Sequence, residues 1–182
     1  MSGFRVVGSK VVAVAGFLTI TERTITGPDG DEFGRIVVHH PGAVTITPID
    51  GDDVIFVRQY RAAADAHLLE LPAGTRDVDG EAPETTAARE LEEEIGHRAG
   101  RIVQLAEFYN TPGFSDEYMH LFIATDLEDL GANNAMGPEE RAMSIERVPL
   151  DRIDEVIAGG ELRDAKSIIG VLLARRFLDA EG

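Results

Sequence analysis

The 182-residue sequence contains no cysteine. The chain can therefore form no disulfide bond and no thiolate zinc site, and we expect a cytoplasmic protein. The N-terminal residues MSGFRVVGSKVV lack the basic region followed by a long apolar core that marks a secretory signal. No apolar run approaches the roughly 20 residues that a membrane helix needs, so no association with a membrane is predicted.

Basic side chains are also scarce. The sequence has 17 Lys and Arg against 33 Asp and Glu, and its formal net charge is −16. Surfaces that bind nucleic acid need clustered Lys and Arg to displace counterions from phosphates, so we expect no nucleic-acid partner. An acidic protein that acts on phosphates must neutralise them locally, and bound divalent cations can do this.

The remaining composition is that of one globular domain, because 43% of the residues are hydrophobic and the chain is long enough to bury a core. Strands are predicted at residues 4–25, 35–50, 52–60, 68–74, 101–110, 118–125 and 143–150. Helices are predicted at residues 83–95, 150–159 and 164–178. Many strands with a few helices indicate an α+β fold.

The helix predicted between Pro83 and Gly96 has the clearest boundaries. Proline is favoured in the first turn of a helix and glycine just after its end. Within it Ala87, Leu91 and Ile95 recur every fourth residue and are therefore expected to face a hydrophobic core.

Three carboxylates follow on the same helix. Glu90, Glu93 and Glu94 stand at i, i+3 and i+4, so they are expected to share one face. Carboxylates this close repel one another unless a cation lies between them. Oxygen ligands of this kind suit Mg²⁺ or Mn²⁺ rather than zinc or copper. The alternative for any glutamate run is an acidic face exposed to solvent.

The segment from Gly74 to His97, GTRDVDGEAPETTAARELEEEIGH, closely resembles the Nudix box. Glu81 precedes Arg89 by the required seven residues, and the segment that follows matches at Arg89, Glu90, Leu91, Glu93, Glu94 and Gly96. It departs at two positions: Gly74 stands one residue early, and His97 replaces an aliphatic residue. The resemblance implies a Nudix fold, in which a mixed sheet is packed between helices, with an additional N-terminal strand region.

Two further stretches resemble the ADP-ribose pyrophosphatase subfamily. They are VRQYRAAADAHLLELPAG at residues 57–74 and YNTPGFSDE at residues 109–117, where Pro112 stands sixteen positions after Gly96. The resemblance implies hydrolysis of ADP-ribose to AMP and ribose 5-phosphate. It also implies a homodimer formed through residues 1–48, with the Nudix hydrolase domain at 49–182. The alternatives are a Nudix hydrolase for a nucleotide sugar, FAD, NADH or CoA, and a catalytically silent nucleotide sensor.

The resemblance also implies a metal site for Mg²⁺ or Mn²⁺. Its ligands are the carboxylates of Glu90 and Glu94 and the backbone carbonyl of Ala73, with Glu93 as an adjacent ligand, as a support or as a catalytic group. Glu81 and Arg89 support this site.

The remaining implied residues act on the substrate: Arg61, Gly74, Pro112 and Glu117 bind it, and Glu139 or Glu140 is the general base, with Glu139 preferred. All of these except Gly74 have a plainer alternative. Arg61 pairs with Asp65 one helical turn away, Glu117 merely begins the next strand, Pro112 forms a turn, and Glu139 and Glu140 lie in a solvated loop.

Overall fold

A computed structural model describes residues 3–131, 133 and 141–181 of the chain. Its contacts divide the chain into two compact units. The first unit consists of the chain up to Gly42 together with Phe108–Met119, and the second consists of Ala43–Glu107 together with the chain from His120 onward. The predicted division into residues 1–48 and 49–182 stays a prediction.

The first unit contains a three-stranded antiparallel sheet in the order β1–β2–β3. Its strands are β1 (Arg5–Ala15), β2 (Leu18–Thr26) and β3 (Glu32–His39). Gly16, with a φ of 58°, allows the tight turn between the first two strands. The prediction of strands over residues 4–25 is therefore confirmed as a hairpin.

The second unit contains most of a seven-stranded sheet. The strands are β4 (Ala43–Asp50), β5 (Asp53–Arg61), β6 (Ala66–Glu70), β7 (Ala73–Thr75), β8 (His97–Tyr109), β9 (Tyr118–Asp129) and β10 (Ser144–Pro149). Their order is β10–β5–β4–β9–β8, while β6 pairs with β5 and β7 pairs with β4. β5 and β6 form an antiparallel hairpin.

Three described α-helices accompany this sheet: α1 (Pro83–Ile95), α2 (Ile153–Ala158) and α3 (Ala165–Glu181). A 3₁₀ turn, Leu150–Arg152, leads directly into α2. All three lie where the sequence predicts helices, and the α+β fold class is confirmed. Among the described residues, no helix is both long and apolar enough to cross a membrane. The cytoplasmic location stays a prediction.

Two hydrophobic clusters form the core, and β5 contributes to both. Val54 and Phe56 belong to a cluster with residues of α2 and α3. Ile55 and Val57 belong to a second cluster, which includes Leu91 of α1. Because successive residues of a strand point to opposite faces, α1 covers one face of the sheet, and α2 and α3 cover the other.

Candidate active site

The position of α1 is fixed by its ends and by its buried face. Pro83 occupies the start of the helix, and Gly96 ends it in the left-handed conformation with a φ of 65°. Ala87, Leu91 and Ile95 are at most 2% exposed, as the sequence predicts. The helix therefore presents its remaining side chains in a defined direction.

Of the three α1 glutamates predicted to share a face, two are buried. Glu90 and Glu94 are 8% and 7% exposed, and residues four apart on a helix lie above one another on one side. The side chain of Glu93 is 37% exposed and lies towards solvent. The acidic run is therefore not a solvated face, because its i and i+4 members are withdrawn from water.

Arg89 is the cation among these carboxylates. Its Nη1 lies 2.8 Å from Glu90 Oε1 and 2.9 Å from Glu93 Oε2, and its Nη2 lies 3.6 Å from Glu81 Oε2. Burial alone would lower the pKa of Arg89, but the charges of these neighbouring glutamates raise it above its ordinary value. Arg89 thus offsets the repulsion that the helix sequence creates.

The backbone of β7 lies directly against the two buried glutamates. The Ala73 N–H donates a hydrogen bond to Glu94 Oε2 at 3.0 Å. A Cβ atom built on Gly74 would lie 2.0 Å from Glu90 Cδ, so no side chain larger than hydrogen fits there. Pairing of Ala73 with Thr45 of β4 holds this segment in place. The structure therefore brings together four residues predicted from the sequence: Ala73, Gly74, Glu90 and Glu94.

Glu81, predicted to support the site, precedes α1 and contacts it twice. It accepts a hydrogen bond from Thr86 Oγ1 at 2.8 Å, and its carboxylate faces Arg89. Its supporting role in catalysis stays a prediction. His97, the departure from the box pattern, is 7% exposed. Its Nδ1 donates to the carbonyl oxygen of Ile95 at 2.6 Å, so it begins β8 as a buried, hydrogen-bonded residue.

Arg61, predicted to bind phosphate, lies at the end of β5 and forms a two-pronged ion pair with Glu70. Its Nε and Nη2 donate to Glu70 Oε1 and Oε2 at 2.8 and 2.7 Å. These hydrogen bonds raise the pKa of Arg61 although its partial burial would lower it, and the charge of Glu94 contributes to the rise. The alternative partner Asp65 accepts instead a hydrogen bond from Tyr60.

The sequence does not predict the ionic cluster around the buried Glu70. This residue is 1% exposed and binds Lys166 of α3 as well as Arg61. Burial would raise the pKa of Glu70, but hydrogen bonds and charge from both cations lower it below its usual value. A glutamate within the apolar run LLELP was a usable signal, whereas nothing local to Lys166 indicated its partner.

Pro112 and Glu117 lie in the first unit, in the segment Phe108–Met119. Pro112 is part of a turn in which the Phe114 N–H donates to the Thr111 carbonyl at 3.2 Å. Glu117 directly precedes β9, and its Oε1 lies 3.8 Å from Nε2 of His40. The plainer alternatives thus describe their local structure, and their substrate roles stay predictions. Glu139 and Glu140 lie outside the described residues.

A family model described as NUDIX domain matches residues 38–169. The chain belongs to the Nudix family. It is 35% identical over 170 residues to an ADP-ribose pyrophosphatase of Mycobacterium tuberculosis, covering 93% of this chain and 82% of that one. It is also 35% identical over 145 residues to an ADP-ribose pyrophosphatase of Bacillus subtilis, covering 79% and 77%.

A solved structure described as "Crystal structure of ADP compounds hydrolase" has the same fold. Its TM-score is 0.86, and the match covers 98% of this chain and 96% of that chain at 23% sequence identity. At this level of identity the likeness concerns the fold alone. Together with the family match, it confirms the predicted Nudix fold.

Nudix hydrolases generally depend on a divalent metal, and the donors that this chain offers are of the right chemistry. Among the described residues, no group of three or more His, Cys, Asp or Glu side chains forms a ready metal cluster. The predicted ligand set instead combines two buried carboxylates, Glu90 and Glu94, with the main chain of β7. The main chain of β7 at Gly74 lies so close to Glu90 that only glycine fits there. Carboxylate and carbonyl oxygens suit Mg²⁺ and Mn²⁺.

Proposed function

We propose that this Nudix hydrolase cleaves the diphosphate bond of ADP-ribose to give AMP and ribose 5-phosphate. The observation that carries the proposal is the approach of the Ala73–Gly74 backbone to two buried carboxylates, Glu90 and Glu94. Two relatives described as ADP-ribose pyrophosphatases, each matched over at least 77% of its own length, support the choice of substrate.

Glu90, Glu94 and the carbonyl oxygen of Ala73 would hold Mg²⁺ or Mn²⁺, with Glu93 beside them. When bound, such a cation would neutralise diphosphate oxygens and make a water beside it more acidic. The protein holds its ligands in place through Arg89, which bridges Glu90 and Glu93 at 2.8 and 2.9 Å. Glu81, at the far side of Arg89, supports this arrangement.

Arg61 binds a phosphate of the substrate. Glu70 occupies the Nε edge of its guanidinium, and the side chain remains 40% exposed. A guanidinium has five N–H donors, so its outer edge can still donate to an anionic oxygen. Gly74, Pro112 and Glu117 complete the substrate contacts. Glu139 is the general base that takes a proton from water, with Glu140 or Glu93 as alternatives.

The functional molecule is a homodimer formed through the N-terminal strand region. β1 lies at the edge of its three-stranded sheet. Its apolar side chains are more than half exposed at Val6, Val7, Val11, Val12 and Val14. Exposed apolar surface of this kind marks protein–protein contact, and we propose that a second copy of the chain covers it.

Two rival functions remain to be separated from this one. A Nudix hydrolase for a nucleotide sugar, FAD, NADH or CoA shares the same box and differs only in substrate contacts. A silent nucleotide sensor would bind without cleaving. The retention of Glu81, Glu90, Glu93 and Glu94 favours an enzyme over the sensor.

A substrate panel tests the proposal. Purified protein with saturating Mg²⁺ is given ADP-ribose, ADP-glucose, GDP-mannose, FAD, NADH and CoA, and kcat/KM is determined for each. We expect ADP-ribose to rank first by about tenfold or more, the discrimination that one well-placed polar contact gives. A higher kcat/KM for another compound would replace the substrate and keep the reaction. Tight binding of ADP-ribose without cleavage of any compound would favour the sensor.

A further inference from the structure

Glu70 lies at the centre of a buried ionic cluster on the same face of the β5–β6 hairpin as Arg61. The cross-strand partners Val57 and Glu70 share a face of this antiparallel hairpin, and Arg61 follows Val57 at an even spacing. The carboxylate of Glu70 is almost fully withdrawn from solvent. Both of its oxygens are bound by the Arg61 guanidinium, and Oε2 also binds Lys166 Nζ.

Lys166 is therefore linked to Arg61 through one shared oxygen atom. Its own side chain is 11% exposed, and its Nζ also lies 2.9 Å from Asp164 Oδ2. The four side chains carry two positive and two negative charges. A buried carboxylate with a single cation can adopt several pairing geometries. A second cation on Oε2 restricts the orientation of the carboxylate and therefore also the orientation of the guanidinium that it binds.

The start of α3 is itself held against the segment that joins β6 to β7. Ser167 Oγ accepts a hydrogen bond from the Leu71 N–H at 2.8 Å. A Cβ atom on Gly170 would lie 2.4 Å from Leu71 Cδ1, which shows how closely the helix packs there. Lys166 is thus attached to a rigid element and not to a mobile loop.

From these contacts we infer that Lys166 is a positioning residue, which acts through Glu70 to aim the guanidinium of Arg61 at an anionic diphosphate. The inference rests on the phosphate-binding role of Arg61 in the proposed function. Buried ion pairs often add little net stability, so a cluster of this kind is better explained by the orientation that it imposes. Loss of Lys166 also leaves the cluster with one net negative charge beside an anionic substrate.

A double-mutant cycle tests this inference with Lys166→Met, Arg61→Gln and their combination. Methionine keeps the unbranched stem and removes the charge. We expect Lys166→Met to raise KM about tenfold while kcat changes less than about threefold, the range for one misplaced charged hydrogen bond. Because Lys166 acts through Arg61, the double variant should match Arg61→Gln within about twofold.

Arg58→Gln is the matched control. Arg58 lies on the same strand and forms a comparable forked ion pair with Glu146, with a further contact to Glu161 at 2.9 Å. Its KM should equal that of the wild type. If Lys166→Met loses stability but keeps a normal KM, Lys166 is only structural and the inference is wrong. Multiplying effects in the double variant would also overturn it. If Lys166→Met does not fold, Lys166→Gln takes its place.

A second readout does not depend on turnover. Inorganic pyrophosphate is titrated calorimetrically into the wild type, Lys166→Met and Arg58→Gln in EDTA. We expect Lys166→Met alone to weaken binding by about tenfold. Equal binding by all three proteins contradicts the inference. A wild type that cleaves no compound of the panel refutes the proposed function instead, and the pyrophosphate comparison still decides the role of Lys166.

Discussion

The carboxylate of Glu94 is buried between α1 and the main chain of β7. Glu94 is 7% exposed, lies one helical turn from Glu90, and accepts a hydrogen bond from the Ala73 N–H. A buried carboxylate needs compensating partners, and the Ala73 N–H is one of them. Burial of the carboxylate beside Glu90 and the main chain of β7 suits the metal-ligand role that we propose for it.

Replacement of Glu94 by glutamine tests this assignment. The amide is nearly isosteric and its oxygen can still accept from Ala73, so the fold should persist. We expect kcat at saturating Mg²⁺ to fall by at least about a hundredfold, because a charged ligand is lost. The melting temperature without metal should stay equal or rise, because the substitution removes one negative charge from carboxylates that repel one another. Glu92→Gln, on the same helix and paired with Arg98, is the control. Near-normal turnover of Glu94→Gln would show that the metal face is wrongly assigned.

Glu70 predicts a pH dependence of stability. Its pKa in the folded protein lies below the ordinary value of 4.5, so near that pH the unfolded chain binds more protons than the folded one. The stabilisation is therefore complete above about pH 4.5 and is lost as the pH falls through the folded-state pKa. At neutral pH, Glu70→Gln should cost about 3 kcal/mol, because it removes the charge that pairs with both the buried Lys166 and the partly exposed Arg61.

Urea denaturation of the wild type and of Glu70→Gln between pH 7 and pH 3 measures the difference in their free energies of unfolding. This difference should be constant near neutrality and should shrink on acidification. A difference that stays constant down to pH 3, or one that grows, would contradict the lowered pKa.

The pairing of Arg61 shows where reasoning from the sequence fails at this scale. A residue four positions away is a natural partner on a helix, which led to Asp65 as the plainer alternative. The segment is instead a hairpin, in which Arg61 pairs with Ala66 and Glu70 follows on the same face. Hairpin register depends on the turn and on both strands, so the true partner is not evident from spacing alone.

Elements with local signals were predicted well. The bounds of α1 follow from Pro83, Gly96 and a regular apolar spacing, all of which act within a few residues. The shared side of Glu90 and Glu94 follows from their spacing of four residues, whereas their burial and the exposure of Glu93 depend on the packing around the helix. In contrast, contacts between distant elements, such as Lys166 of α3 with Glu70 of β6, have no local signature and emerge only from the fold.

The contact between β7 and α1 gives a prediction at the scale of elements. Gly74→Ala would introduce a Cβ atom 2.0 Å from Glu90 Cδ, so either the carboxylate or the strand must move. We expect kcat/KM to fall by about a hundredfold, because displacement of a ligand by an ångström is costly in catalysis. Gly8→Ala is the control, because its Cβ would meet Thr24 only at 3.5 Å. Normal activity of Gly74→Ala would mean that this approach is not essential.

At the scale of the whole molecule, the exposed valines of β1 predict self-association. Light scattering on a sizing column should give twice the chain mass of 19.7 kDa. Val11→Glu combined with Val14→Glu should shift the protein to the monomer, because charges on an apolar interface are not readily buried. Ile145→Glu, at an exposed position of β10, should leave the dimer intact. A wild type that is monomeric at micromolar concentration would contradict the proposed dimer.

The central claim is the reaction itself. Purified protein is incubated with ADP-ribose and Mg²⁺, and the products are separated and identified by mass. The account predicts equimolar AMP and ribose 5-phosphate, with no reaction in EDTA and recovery when Mg²⁺ is restored. ADP-ribose that stays intact in the presence of folded protein and Mg²⁺, or cleavage that EDTA does not affect, would contradict it.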